Sequence, residues 1–303
     1  MPPGMMPPGS PGSPGGADND PNLTIVNITR DKSNVKLKYN VTADDASTVG
    51  KLIAKAVEAS GASAIDDGLF QGTLTLLNTA MKQWETEKPD QLVGARPLPN
   101  LPIRAGFSWM AQLLPYVGHA DLHSSLNFNK SWAEGGNLKA AFTVVPAFLN
   151  PADPRSTWDG FPYPGMALSH FAGMSGVEDG RNVVAAELPR SDPRAGIFGY
   201  EHIAKPEEIT DGMGQTIMIV GTGEVVAPWI QGGGATIRGA RQPYFDRYTG
   251  VGSKGLPKPG TFVLFADGSA RMISADIDPE VFKAMCTMHG AEQIDLNKIA
   301  RSP

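Results

Sequence analysis

The 303 residues carry 26 Lys and Arg against 31 Asp and Glu, a net charge of -5, with no block of basic residues. This argues against binding to nucleic acid or another polyanion. The length allows one large domain or two ordinary ones with a substantial core, and 35 Gly and 26 Pro point to irregular loops over sheets rather than a helical bundle. The single Cys286 can form no intrachain disulfide. No apolar run approaches the ~20 residues that span a bilayer, and no segment resembles a signal peptide.

Residues 1–22 are almost wholly Pro, Gly and Ser with a few Met. Such a segment buries too little apolar surface to offset chain entropy, so a disordered or partly extended tail is expected. Leu23–Ile28 and Val35–Val41 alternate as strands around the polar turn Arg30–Asn34. Asp44 or Asp45 then caps a helix with Val49, Leu52, Ile53, Ala56 and Val57 at helical spacing and Gly61 at its end. This β-β-α unit, residues 23–68, is too small for a deep core of its own and is expected to pack on the rest or on another subunit.

From residue 69 to 303 one α+β domain is expected. Leu69 to about Glu87 forms an amphipathic helix with Leu74, Leu77, Met81 and Trp84 on one face, stopped by Pro89 and the Pro-rich run Arg96–Pro102. Trp109 to about Tyr116 is a short apolar helix. Short strands follow at Phe142–Val145, Ala147–Leu149, Gly196–Gly199 and Thr216–Val220, separated by long Gly/Pro loops. Near the end, Thr261–Ala266 and Ser269–Ser274 flank Asp267-Gly268, the pair best suited to a type I′ hairpin turn. Phe262, Leu264 and Ala266 should face one way, Val263 and Phe265 the other. Asp278-Pro279 starts a last helix.

The ionisable residues do not assemble into a recognised catalytic pattern. His119 and His123 stand four apart around Asp121, but Gly118 disfavours a helix there and the zincin Glu is absent. His170, His202 and His289 are dispersed, with no partner legible in the sequence. Cys286 near His289 is best read as a small buried thiol, and no Ser lies in a nucleophile elbow. Asp267, Asp276 and Asp278 offer oxygen ligands of the kind Ca²⁺ takes, but their spacing fits no EF-hand and each has a simpler use as a turn or capping residue. No resident cofactor or metal is expected. Trp158, Phe161, Tyr163, Trp229, Tyr244, Phe245 and Tyr248 lie in Gly/Pro loops with Arg238, Arg241 and Arg247 nearby. Such loops suit an interface or a carbohydrate platform, or else fold back as a minor core.

Several segments, in order, resemble a bacterial prepilin-like family, the domain of unknown function 1559. They are the helix over 69–88 with its Pro-rich sequel; Ser108–Tyr116 with Trp109 and Leu113-Leu114-Pro115-Tyr116; Thr210-Asp211-Gly212 with Gln215–Glu224; and Phe265–Ser269 followed by Cys286, Thr287 and Gly290. The resemblance covers about residues 69–295. The family's C-terminal signature is a His, nine residues and Asp-Gly; here Pro257 stands ten residues before Asp267, and the family's mid-chain Cys-Pro is Asn150-Pro151. The apolar, membrane-inserting half of a prepilin stem has no counterpart, and the β-β-α unit takes its place. The resemblance implies a pilin-like helix laid against a turn-rich antiparallel sheet. It also implies a non-catalytic structural or assembly subunit, outside the cytoplasm or at the cell surface, that contacts copies of itself or other envelope subunits. A glycan- or peptide-binding module is the alternative, and a metal- or Cys-dependent hydrolase a more distant one.

Overall fold

The computed structural model describes residues 27–31, 34–38, 67–88, 94, 97–160, 163–179, 183–246, 251–256 and 258–290. The Pro/Gly/Ser tail and the helix expected over 44–61 lie outside the described residues. Strands β1 (Asn27–Asp31) and β2 (Asn34–Lys38) pair antiparallel, from Asn27 opposite Lys38 to Asp31 opposite Asn34. The expected turn at 30–34 is therefore corrected: Arg30 and Asp31 belong to the ladder, and only two positions separate the strands, the length that best fits strand twist in a hairpin.

The fold centres on a five-stranded sheet in the order β7-β4-β5-β8-β9. Its members are β4 (Phe171–Val177), β5 (Ile217–Gly221), β7 (Ile237–Ala240), β8 (Gly260–Phe265) and β9 (Ala270–Ser274). A two-stranded ribbon of β3 (Leu168–Ser169) and β6 (Ala227–Pro228) lies apart from it. Strict alternation along β8 sorts its side chains between two cores. Phe262 and Leu264 join one, and Val263 and Phe265 the other, as the period of two requires. Both faces of the sheet are thus covered.

The first core is closed by α1 (Asp67–Glu87), whose Leu74, Leu77, Ala80, Met81 and Trp84 are buried while Lys82, Glu85 and Thr86 are exposed. Each fully buried Leu in such a stripe contributes about 2 kcal/mol. Tyr116 fastens the end of this helix, its Oη donating to Glu87 Oε2 at 2.8 Å. The second core is closed by α5 (Pro279–Cys286), which sets Phe282, Met285 and Cys286 against Ile217, Val220, Val263 and Phe265. Asp278 caps α5, its Oδ1 accepting from the Glu280 N–H at 2.9 Å, with Pro279 in the first turn where no N–H is needed. Between α1 and the sheet strands come α2 (Met110–Leu113), running into a 3₁₀ turn at Leu114–Val117, then α3 (Ala120–Ser125) and α4 (Gly136–Ala140).

The structure corrects four local expectations. The sheet is mixed rather than antiparallel, because β4 runs parallel to β7. Phe142–Val145 and Ala147–Leu149 are not strands; Pro146–Phe148 forms a 3₁₀ turn, which the Pro at its start favours over ladder pairing. Gly196–Gly199 is not a regular strand: Phe198 forms an isolated bridge with Ile203, and the Gly196 and Phe198 N–H groups donate to Ser175 and Met174 of β4. Gly118 does not prevent a helix at 120–125. At φ +86° it ends the preceding 3₁₀ turn and His119 opens α3, the left-handed stop that glycine performs best.

The Asp267-Gly268 hairpin exists, but its turn is not type I′. Only Gly268, at φ +88°, is left-handed. The Gly268 N–H donates to the Phe265 carbonyl and the Phe265 N–H to the Ser269 carbonyl, both at 2.9 Å. This is a three-residue loop with glycine at the bulge. Asp267 Oδ1 accepts from the Ser269 N–H at 2.8 Å, which accounts for Asp at this position without a positive φ. Above the turn stands Asn78 of α1: a Cβ on Gly268 would lie 2.4 Å from Asn78 Nδ2. Gly268→Val should therefore lower stability by about 1–3 kcal/mol in urea unfolding. In an Asn78→Ala background the contact is relieved but the backbone strain is kept, so most of the loss should persist; a neutral Gly268→Val would contradict this account of the turn.

Candidate functional site

The largest concentration of buried ionisable groups lies where the 148–155 segment meets the start of β4. Asp153 and His170 side chains are 1% and 0% exposed. Arg155 grips Asp153 three times: its backbone N–H donates to Oδ1 at 3.0 Å, Nε to Oδ1 at 2.9 Å and Nη2 to Oδ2 at 2.5 Å. The same Nη2 also donates to the Gly223 carbonyl, tying in the 222–224 loop. His170 Nδ1 accepts from the Asn150 N–H at 2.9 Å, so the ring's own proton belongs on Nε2, which stands 3.6 Å from Asp153 Oδ2. Asn150 completes the frame: Nδ2 donates to the Lys254 carbonyl and Oδ1 accepts from the Ala152 N–H, each at 2.9 Å. Four chain segments are fastened at one point.

Burial pushes the His170 imidazole down to about 4, the Asp153 charge opposing this and the Arg155 and Lys254 charges adding to it. Burial alone would raise the Asp153 carboxyl, but the hydrogen bonds from Arg155 and the neighbouring charges outweigh it and hold the carboxyl below its usual range. The cluster is therefore a neutral imidazole beside a paired carboxylate, closed to solvent. It has the groups of a base and its orienting acid, but among the described residues no side-chain nucleophile is hydrogen-bonded to the ring. Its chemistry is that of a clamp.

The sequence alone points to neither Asp153 nor Arg155, marks Asn150 only as the residue in place of the family's Cys, and shows no partner for His170. A signal was present. Asp-Pro-Arg occurs at 153–155 and again at 192–194, and both copies adopt the same Asp-to-Arg geometry. In the second copy the Arg194 backbone N–H and Nε each donate to Asp192 Oδ1 at 2.9 Å, and Nη2 to Oδ2 at 2.7 Å. These bonds lower the Asp192 carboxyl to about 2. The intervening Pro fixes one backbone dihedral and returns the Arg toward the Asp. Asn150, which stands where the resembled family has Cys, serves as a hydrogen-bonding post.

The sequence-selected aromatic residues do not form one platform. Trp229 is fully buried, donating from Nε1 to the Thr143 carbonyl at 3.0 Å and packing on Phe148. Tyr244 is 4% exposed and, with Phe245, packs on Phe282 of the second core. A groove shared by Trp158, Trp229 and Tyr244 is thereby excluded. Phe161 and Tyr248 lie outside the described residues. Trp158 and Tyr163, half-buried, do lie together on the loop that returns from Thr157 to Ala167. Phe142, 44% exposed, leans on Gly165 of the same loop, and Val144 is 37% exposed on the adjoining segment. Phe142 and Val144 are thus the exposed apolar side chains here, while Trp158 and Tyr163 pack partly against the first core, Tyr163 edge-on to Trp132.

The remaining candidates separate. His119 and His123 share a turn of helix, the His123 N–H donating to the His119 carbonyl at 3.0 Å, and burial lowers the His119 imidazole. Asp267 and Asp278 spend carboxylate oxygens on the turn and the helix cap already described, and at Asp276 the backbone N–H donates to Ser274 Oγ. Among the described residues no group of three or more His, Cys, Asp or Glu side chains could hold a metal ion. Cys286 is fully buried, which drives its thiol far above the ordinary range and away from nucleophilic reactivity. No helix among the described residues is long and apolar enough to cross a membrane.

Residues 77–242 match the model of a family described as "Protein of unknown function (DUF1559)". The match takes in the second half of α1, the buried clamp and the 157–167 loop, and ends before the 257–268 segment where the resembled C-terminal signature would fall. No curated protein and no solved structure matches the chain.

The clamp generates a pH dependence of known sign. The folded-state value of His170 lies near 4, below its usual 6.5, so between those limits the unfolded chain binds more protons. The stability this gives is present above pH 6.5 and is lost as pH falls toward 4. At full effect one such group contributes a slope of about 1.4 kcal/mol per pH unit. His119 and His202 are also lowered by burial and act in the same direction. His170→Asn, which keeps an acceptor for the Asn150 N–H, should flatten part of the slope between pH 6.5 and 4 in denaturant titrations. An unchanged slope would show that His170 does not titrate with folding.

Proposed function

We propose that this chain, which belongs to the DUF1559 family, is a non-catalytic structural or assembly subunit that associates with copies of itself or with related envelope subunits outside the cytoplasm. The observation that carries this reading is the exposed pair Phe142 and Val144, with the Phe142 ring leaning on Gly165 of the loop that holds the half-buried Trp158. Exposed apolar side chains beside a half-buried aromatic ring are costly in a monomer and typical of interfaces. A long helix laid across one face of a sheet is also the arrangement that a pilin-like subunit would need. The buried, structural use of His170, Asp153 and Cys286 favours this reading over a hydrolase, and the dispersal of Trp229 and Tyr244 into the cores leaves a glycan platform without two of its rings.

A specific self-contact of this kind should bury at least ~1,000 Å² in total. Sedimentation velocity over a wide concentration range should show reversible association of the full chain. Phe142→Glu combined with Val144→Glu, both exposed, should return it to monomer while its unfolding midpoint changes little. A full-length protein that stays monomeric at high concentration, or a double variant that associates as before, would sink the proposal.

A further inference from the structure

On the opposite sheet edge from β9, a groove of about 390 Å³ runs beside β7, lined by Glu178, Tyr200, Val225, Ile237, Arg238 and Arg241 among others. That volume is at the small end for ligand sites. Arg238 forms part of its wall and is half-buried. Its guanidinium bonds three backbone carbonyls: Nε donates to Gly234 at 3.2 Å, Nη1 to Val225 at 2.5 Å and Nη2 to Ala235 at 3.2 Å. These partners are neutral. Two carboxylates, Glu178 and Asp246, also line the groove; Glu178 is taken by Arg241 at 3.0 Å, and among the described residues no carboxylate pairs with Arg238. Desolvation without a compensating acid lowers the Arg238 guanidinium to about 10.

A partly desolvated cation is ordinarily matched by an anion, and a guanidinium has five N–H donors. The three carbonyls take one from each nitrogen and leave one N–H on each terminal nitrogen for a further acceptor, such as a carboxylate or phosphate oxygen. Arg241 stands on the same wall with its side chain 56% exposed, and Val225 and Ile237 supply apolar cover beside Tyr200. We propose that this groove binds the oxyanion group of a small ligand, with Arg238 as the anchor and Arg241, which pairs with Glu178 in the free groove, as the second cation. This site is separate from the exposed apolar pair of the assembly reading and does not depend on it.

The test is calorimetric titration of the full chain in a chloride-free buffer, with succinate in one arm and inorganic phosphate in the other. Saturable binding is expected, and the arm in which it occurs identifies the ligand group as carboxylate, phosphate or either. Arg238→Lys keeps the charge but loses the fork and should weaken binding by about tenfold. Arg238 also ties down the 225–235 loop, so Arg241→Gln provides a second variant that leaves those bonds intact, and it should weaken binding by a smaller factor. The proposal is overturned if neither anion binds saturably. It is overturned equally if affinity is retained in Arg238→Lys, or in Arg241→Gln should Arg238→Lys fail to fold.

Discussion

The close approach of two backbones at β4 is the constraint on which the rest of the molecule depends. The 194–198 segment crosses β4 in direct contact: the Gly196 N–H donates to the Ser175 carbonyl, the Phe198 N–H to Met174 and the Val177 N–H to Arg194, at 2.8–2.9 Å. A Cβ on Gly176 would lie 2.0 Å from the Arg194 carbonyl oxygen, and one on Gly196 would lie 2.4 Å from the Gly176 nitrogen. One turn away, Gly173 leaves room for the Phe198 ring, which a Cβ there would meet at 2.4 Å. Three missing side chains thus let a crossing loop take the place that a further strand or helix would otherwise fill. The ladder between β4 and β7 shifts register between Met174 and Val177, which accommodates the crossing.

From this junction the two cores separate in an orderly way. Ala172, Met174 and Val177 belong to the second core, while Phe171 and the Phe198 ring belong to the first, where Phe198 packs on Trp109. The Asp153–His170 clamp closes the N-terminal end of β4 from the other side, since the His170 N–H donates to the Phe148 carbonyl and its own carbonyl accepts from the Thr222 N–H. Polar fastening at one end of the strand and backbone crossing at the other hold it between α1 and α5. The exposed loops, including the 157–167 turn and the groove beside β7, are then carried on a rigid frame, which is what a recognition surface needs.

The features that were legible in the sequence are those with an uninterrupted period. α1 and β8 show their apolar spacing without breaks, and the Asp278-Pro279 start of α5 follows from capping chemistry alone. β4 was not legible, because Gly173 and Gly176 interrupt its pattern and read as loop. The reason those glycines are present, a segment arriving from twenty residues later, is a tertiary fact. Trp229 and Tyr244 misled in the opposite direction: their Gly/Pro neighbours suggest exposed loops, yet the loops fold inward and bury both rings. The clamp was half legible. The repeated Asp-Pro-Arg encodes its own local geometry, but nothing near His170 in sequence indicates that Asp153 will face it.

The chain matches its family over residues 77–242, and the sheet at its centre is a double-sided core with the buried Asp153 and His170 spent on fastening. The central claim is that β4 is sealed on both faces and along the crossing. Native-state hydrogen exchange followed residue by residue tests it most directly. The amides of Met174, Val177, Gly196 and Phe198 should exchange only through global unfolding, with the same free energy as those of β8. Exchange at β4 or across the 194–198 crossing well below that free energy would contradict the account.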